Sequence, residues 1–146
     1  MSEKVVIIGG GLTGLSAAWE LEKRHIAYTL IEVKGRLGGS IISERRGGFV
    51  FDGGPMTFER TGDWSFLDEL GLQDALYEVV GRGVQLNAPT SHAAFKDRTQ
   101  TLTDMLAQRL TDTVMLRMAV TSLGTVGGQY TVCLENGLAL TAGALI

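Results

Sequence analysis

The chain has 146 residues, of which 45% are hydrophobic and 20% are charged, so its composition is that of a folded globular protein and excludes a disordered or collagen-like chain. Its 13 Lys and Arg and 16 Asp and Glu give a formal net charge of −3, which provides no electrostatic basis for binding nucleic acid. Glycine occurs 20 times, about twice its usual frequency, while proline occurs only 2 times.

The one cysteine, Cys133, excludes an intrachain disulfide and a CxxC redox or zinc site. We therefore expect a reducing compartment and place the protein in the cytoplasm. No apolar stretch approaches the length of a membrane-spanning helix, and the first apolar run is too short for the core of a signal peptide. The sequence predicts neither a membrane segment nor a nucleic-acid partner.

The first part of the chain predicts a strand, a glycine-rich turn, a helix and a second strand. Residues 4–8 are a β-branched apolar run, typical of a strand buried in a parallel sheet. Residues 13–23 carry apolar side chains at largely helical spacing, and residues 28–32 are the next β-rich run. This order makes a right-handed βαβ unit and predicts an α/β, Rossmann-like fold with a parallel sheet.

The turn of this unit contains Gly9, Gly11 and Gly14, which form the pattern G-x-G-x-x-G. In that pattern the first glycine permits the turn, the second lets a pyrophosphate approach and the third brings the helix close to the strand. Glu32, 18 residues after Gly14, ends the second strand, where a carboxylate can accept hydrogen bonds from a ribose 2′-hydroxyl. Its charge disfavours the 2′-phosphate of NADP. The motif itself leaves NAD and FAD open, and the alternative is a Rossmann-like turn that binds nothing.

The middle of the chain gives weaker signals. Residues 49–52 predict a short strand, which Gly53-Gly54-Pro55 interrupts. Asp63 is a candidate N-cap for a short helix that Gly71 would end. Residues 81–100 have little periodicity and predict a linker.

The last third returns to regular patterns. Leu102 to Leu110 predicts a helix, and residues 114–123 predict one or two strands broken near Arg117 or Ala119. Asn136-Gly137 predicts a hairpin between residues 129–134 and 138–141. The chain then enters a final apolar run at residues 144–146.

The residues after the second strand resemble a known family. Residues 32–39, EVKGRLGG, resemble the E-x-x-x-R-x-G-G pattern of the superfamily of FAD-dependent amine oxidases, phytoene desaturases and protoporphyrinogen oxidases. Gly54-Pro55 with Phe58 resembles a Gly-Pro-x-x-Phe feature of the same oxidases. The resemblance is nearest to protoporphyrinogen oxidases, and it implies FAD as the cofactor and residues 1–146 as an FAD-binding domain.

The resemblance also implies a role for each matching residue. Gly38 and Gly39 would bring backbone amides to the FAD diphosphate, and Arg36 would place its guanidinium beside the phosphates or ribose. Residues 54–57 would lie along the isoalloxazine ring, and the backbone of Val120 would pair with the adenine edge. The predicted cofactor-binding residues are Gly9, Gly11, Leu12, Thr13, Gly14, Glu32, Arg36, Leu37, Gly38, Gly39, Gly54, Pro55, Met56, Thr57 and Val120.

Members of this family are much longer, and their chain leaves the FAD domain to form a substrate domain where this sequence has only residues 81–100. We therefore expect a truncated or naturally reduced FAD-binding domain with an incomplete sheet, in which no catalytic or metal-binding residue is identified. The open edge at residues 144–146 predicts instability, a homo-oligomer or strand exchange with a second copy.

Two functions remain open from the sequence. The chain is either the FAD-binding portion of an oxidoreductase that transfers a hydride from a small-molecule substrate to flavin, or a non-catalytic dinucleotide-binding module with a regulatory or interaction role.

Overall fold

A computed structural model describes residues 4–59, 62–79 and 92–146. The chain divides into two compact units, of which the first consists of Met1–Gly39 with Leu106–Ile146 and the second of Ser40–Met105. No helix in the described ranges is long and apolar enough to cross a membrane. The described elements are, in chain order, β1 (Val5–Ile8), α1 (Leu12–Lys23), β2 (Tyr28–Glu32), β3 (Ser43–Arg46), β4 (Phe49–Asp52), β5 (Phe58–Glu59), α2 (Phe66–Glu69), β6 (Leu76–Val79), β7 (His92–Phe95), α3 (Gln100–Gln108), β8 (Thr113–Leu116), β9 (Val120–Val126), β10 (Gln129–Leu134), β11 (Ala139–Ala142) and β12 (Ala144–Leu145).

The first unit is built on a four-stranded parallel sheet with the order β12-β1-β2-β8. All five residues of β2 are buried, as expected for a strand inside a parallel α/β sheet. Helix α1 connects β1 to β2 and buries Gly14, Leu15, Ala18 and Trp19. The predicted βαβ unit and the α/β Rossmann-like fold are therefore confirmed.

The final apolar run pairs beside β1. Val5 lies opposite Ala144 and Val6 opposite Leu145 in a parallel register. The backbone N–H of Ile8 donates to the carbonyl of Ile146 at 2.8 Å. The outer edge of β12 has no neighbour among the strands that the structure describes, so the sheet is incomplete there.

Strands β9, β10 and β11 form an antiparallel meander that covers part of the parallel sheet. The turn predicted at Asn136-Gly137 joins β10 to β11, with a positive φ of 85° at Gly137. The break predicted near Arg117 separates β8 from β9. The two sheets share a core made of Val6, Ile31, Val132, Leu134 and Ala142, with Met115, Met118, Val120, Leu140 and Leu145 packed against it.

The second unit contains the β3–β4 hairpin and a three-stranded antiparallel sheet with the order β5-β7-β6. The strand predicted at residues 49–52 is confirmed as β4. Of the predicted linker, residues 81–91 lie outside the described residues, and residues 92–95 form β7, the central strand of that sheet. Pairing on both sides, by β5 and β6, stabilises an extended segment whose sequence has no clear strand period.

The short helix α2 begins later than its predicted cap. Ser65, not Asp63, occupies the N-cap position, and it makes no side-chain capping hydrogen bond. The Asp63 carboxylate instead accepts the backbone N–H of Ser65 at 2.8 Å, which lowers the pKa of Asp63. Gly71 follows the helix with a φ of +72°, so the predicted glycine end is confirmed.

Candidate functional site

The glycine-rich turn lies between β1 and α1, and the protein itself requires glycine at two of its positions. Gly9 has a φ of +109°, a conformation that side chains disfavour. A Cβ on Gly14 would lie 1.9 Å from the carbonyl oxygen of Gly9, so only glycine lets the helix pack this close to the strand. A Cβ on Gly10 would lie 2.4 Å from the Leu37 side chain. Gly9 and Gly14 therefore have structural reasons for lacking a side chain, whereas a Cβ on Gly10 would require the Leu37 side chain to shift.

Gly11 differs from its neighbours because nothing in the protein requires it to be glycine. Its backbone is extended, with φ −75° and ψ −175°, which any residue can adopt. A Cβ built there would meet only the Cα of Gly39 at 3.8 Å, an ordinary van der Waals contact. The missing side chain leaves a space at the surface of the turn, where a ligand can approach the backbone closely.

The start of α1 suits an anion. Gly11 is the N-cap residue, makes no side-chain capping hydrogen bond and is followed by no acidic residue in the first turn. The exposed residues Leu12 and Thr13 begin the helix, and the first N–H groups of a helix lack partners within it. Together with the helix dipole, these groups favour a phosphate at this end.

Glu32 ends β2 and is only 7% exposed. Its carboxylate accepts the backbone N–H of Gly10 and that of Lys34, both at 2.7 Å. The two hydrogen bonds fix the carboxylate beside the glycine turn and use two of its roughly four acceptor sites. The remaining sites can accept hydroxyl hydrogens, so the residue fits a ribose diol.

The second glycine pair lies directly against the first turn. The N–H of Gly38 donates to the carbonyl of Gly10 at 2.8 Å. Gly39 has a φ of +59°, and a Cβ on it would be 2.9 Å from the Cα of Gly11. The structure thus brings residues 38–39 and 9–11 together, as a site for one diphosphate would require.

Arg36 stabilises the second loop, residues 36–39, which contains the glycine pair just described. Its guanidinium donates to the carbonyl of Leu37 at 3.1 Å and to that of Gly39 at 2.8 Å. A guanidinium carries five N–H donors in a rigid fork, so donors remain for a phosphate or ribose oxygen. The contact with the cofactor stays a prediction, but the bracing of Gly39 is an additional role that the motif did not indicate.

Val120 begins β9 and packs its side chain against the core that the two sheets share. The segment before it is tied to the end of β2, because the N–H of Met118 donates to the carbonyl of Glu32 at 3.1 Å. The segment that leads into Val120 therefore lies beside the end of β2, where Glu32 is located. Its pairing with adenine remains a prediction.

The predicted flavin loop belongs to the second unit. Gly54 passes so close to the chain that a Cβ on it would lie 2.6 Å from the carbonyl oxygen of Ser40. Pro55, Met56 and Thr57 are exposed and form no regular element. Their role beside an isoalloxazine ring also remains a prediction.

Two backbone donors that hold Glu32, the N–H groups of Gly10 and Lys34, were not expected from the sequence. The run of three glycines at residues 9–11 was the available signal for the first. Within the ranges that the structure covers, no three His, Cys, Asp or Glu side chains are grouped so that they could hold a metal ion.

Comparison with known proteins extends these observations. Residues 7–70 match the family described as an NAD(P)-binding Rossmann-like domain. The coproporphyrinogen III oxidase of Propionibacterium freudenreichii subsp. freudenreichii is 38% identical over 72 residues, which are 48% of this chain and 14% of that protein. Protoporphyrinogen oxidase 2 of Arabidopsis thaliana is 36% identical over 74 residues, 49% of this chain and 15% of that protein. The chain thus spans about a seventh of the length of either curated relative.

Two solved structures share the fold over nearly the whole chain. A proposed protoporphyrinogen oxidase from Exiguobacterium sp. 255-15 superposes with a TM-score of 0.85 at 14% identity, over 99% of this chain and 59% of that chain. Putrescine oxidase bound to putrescine superposes with a TM-score of 0.78 at 16% identity, over 99% of this chain and 57% of that chain.

Proposed function

Because the chain belongs to the superfamily of FAD-dependent amine oxidases and protoporphyrinogen oxidases, we propose that it is the FAD-binding portion of a flavin-dependent oxidoreductase. The observation that carries the proposal is the space at Gly11. The protein leaves that position free of a Cβ although neither its φ nor its packing demands glycine. A pyrophosphate that approaches the backbone explains the glycine.

The chain's own residues fit the cofactor in three places. The N–H groups at the start of α1 and the loop at residues 38–39 would hold the diphosphate, while Arg36 keeps that loop closed. Glu32, fixed by two backbone N–H groups, would accept the ribose hydroxyls. When bound, the flavin supplies the redox chemistry as the acceptor of a hydride from the substrate, and the protein supplies binding and orientation.

A porphyrinogen is the substrate class that we propose for the complete activity. The proposal rests on the names of two relatives, which are oxidases of coproporphyrinogen III and of protoporphyrinogen. It is tested by incubating the FAD-loaded protein with each porphyrinogen and recording the fluorescence of the porphyrin product. Oxidation of a primary amine without oxidation of either porphyrinogen would contradict it.

The test of cofactor binding uses a pair of glycine variants. Gly11→Ala adds a Cβ to the open face of the turn, whereas Gly124→Ala adds one in β9, where nothing lies within 4 Å. We expect both variants to unfold at the wild-type urea concentration. FAD, titrated by its visible absorbance and fluorescence, should bind Gly11→Ala at least tenfold more weakly, a loss of about 1.4 kcal/mol, and Gly124→Ala normally.

Two results would overturn the assignment. Wild-type affinity of Gly11→Ala for FAD would show that no pyrophosphate lies against the turn. Binding of NAD by calorimetry, without retention of FAD, would support the non-catalytic dinucleotide module instead.

A further inference from the structure

Arg117 has an unusual backbone conformation at the carboxyl end of β8. Its φ is +54°, and in the described part of the chain only His25 is another non-glycine residue with a positive φ. This left-handed region costs conformational free energy for a residue with a Cβ, and such residues cluster at functional sites. The turn between β8 and β9 needs the conformation, but asparagine or glycine would adopt it more easily.

The position of Arg117 is fixed over the residues that follow Glu32. Its backbone N–H donates to the carbonyl of Lys34 at 3.0 Å, and the next N–H, of Met118, donates to that of Glu32 at 3.1 Å. The guanidinium lies on Gly35, since a Cβ there would be 2.9 Å from Nε and 3.5 Å from Nη2 of Arg117. The guanidinium of Arg117 thus packs against the backbone of Gly35, in the space that a side chain at that position would occupy.

The guanidinium of Arg117 is available to a ligand. It is exposed, and no ion pair joins it to a carboxylate within residues 4–59, 62–79 and 92–146. Strands β2 and β8 are parallel neighbours, with Glu32 opposite Leu116, so their carboxyl ends meet at one edge of the sheet. Ligands of open α/β sheets bind outside that edge.

We propose that Arg117 stacks its guanidinium on the adenine ring of the bound cofactor, an inference that rests on the proposed FAD site. A ribose held by Glu32 carries its base on the neighbouring carbon, which places the base close to the ends of β2 and β8. A planar guanidinium pairs well with an aromatic face, through both stacking and cation–π attraction.

A 2′-phosphate on the same ribose would be repelled by Glu32, although the Arg117 guanidinium alone would attract it. That phosphate would be attached to the ribose hydroxyl next to the Glu32 carboxylate, which is buried and held at 2.7 Å by each of two N–H groups and therefore does not move away. Two negative charges in contact would oppose binding. The neutral face of adenine carries no such penalty.

The experiment measures what the adenine contributes to affinity. Calorimetry gives the Kd of ADP and of ribose 5-diphosphate, which lacks the base, for the wild type and for Arg117→Ala, Arg117→Lys and Arg117→Gly. We expect each variant to bind ADP about threefold more weakly and ribose 5-diphosphate unchanged. Lysine keeps the charge but lacks the planar fork. Arg109→Ala, which removes another exposed cation of the same unit, should leave both values unchanged.

Arg117→Gly separates binding from folding. Glycine relieves the left-handed backbone, so we expect this variant to resist urea better than the wild type while it binds ADP more weakly. Equal losses for ADP and ribose 5-diphosphate would overturn the stacking, as would full ADP affinity in any of the three variants. A larger loss for 2′-phospho-ADP than for ADP would assign Arg117 to a phosphate instead.

The two proposals fail in different ways. If the wild type binds FAD normally and all Arg117 variants bind ADP like it, only the stacking is wrong. If the wild type binds neither FAD nor ADP, the cofactor site itself is wrong and the stacking falls with it.

Discussion

Glu22, near the end of α1, should make the first unit sensitive to acid. Its carboxylate accepts the Tyr28 hydroxyl at 2.7 Å, the N–H of Thr111 at 2.6 Å, the N–H of Asp112 at 3.0 Å and the Thr111 hydroxyl at 2.8 Å. Burial alone would raise the pKa of Glu22, but these hydrogen bonds lower it from 4.5 to about 2. Burial and the same carboxylate raise the pKa of Tyr28. One carboxylate therefore joins the helix end, β2 and the segment before β8.

The magnitude follows from the difference between the folded and unfolded pKa values of Glu22. A fall from 4.5 to about 2 would correspond to roughly 3 kcal/mol at about 1.4 kcal/mol for each pH unit. Glu22 is only partly buried, so solvent screening reduces this to about 1–2 kcal/mol. Because the folded pKa is depressed, this stability is complete above about pH 4.5 and is lost as the pH falls towards 2.

The assay is urea unfolding of the wild type and Glu22→Gln at several pH values. At pH ~7 the variant should be about 1–2 kcal/mol less stable, and the difference should shrink between about pH 4.5 and 2. Glu20→Gln is the matched control on the same helix, since Glu20 pairs with the exposed Lys23 and Arg24 and should contribute under about 1 kcal/mol. A Glu22→Gln difference equal to that of Glu20→Gln, or constant down to about pH 2, would refute the reasoning.

Three further changes test the glycine turn, the second loop and the second unit. Gly14→Ala should lower the free energy of unfolding in urea by about 3 kcal/mol or more, because its Cβ would lie 1.9 Å from the carbonyl oxygen of Gly9. Wild-type stability of this variant would contradict that packing. Arg36→Lys should weaken FAD binding about tenfold in a fluorescence titration, since an ammonium cannot span both loop carbonyls; unchanged affinity would limit Arg36 to a charge effect. Asp52→Ala should lower the free energy of unfolding in urea by about 1 kcal/mol, because Asp52 accepts the N–H and the hydroxyl of Thr99 at 3.2 and 3.1 Å just before α3. A loss below about 0.3 kcal/mol would show that this contact does not stabilise the helix.

Much of the fold follows from local patterns. The βαβ unit, the hairpin at Asn136-Gly137 and the break near Arg117 depend on periodicity and on turn residues within a few positions. Strand β7 does not, since His92–Phe95 becomes a strand only through pairing with β5 and β6. Tertiary pairing overrides a weak local preference there.

The sequence by itself determined the position of the glycine-rich turn and the acid at the end of β2, because the spacing of Gly9, Gly11, Gly14 and Glu32 along one βαβ unit is local. Only the tertiary structure showed which of these glycines the packing requires and which it does not. Gly14 is excluded from bearing a side chain by the carbonyl of Gly9, whereas Gly11 has room for one, and the two look alike in the motif. The bracing of Gly39 by Arg36 and the placement of Arg117 on Gly35 were also beyond the sequence, since both depend on where the folded backbone brings carbonyls and open space.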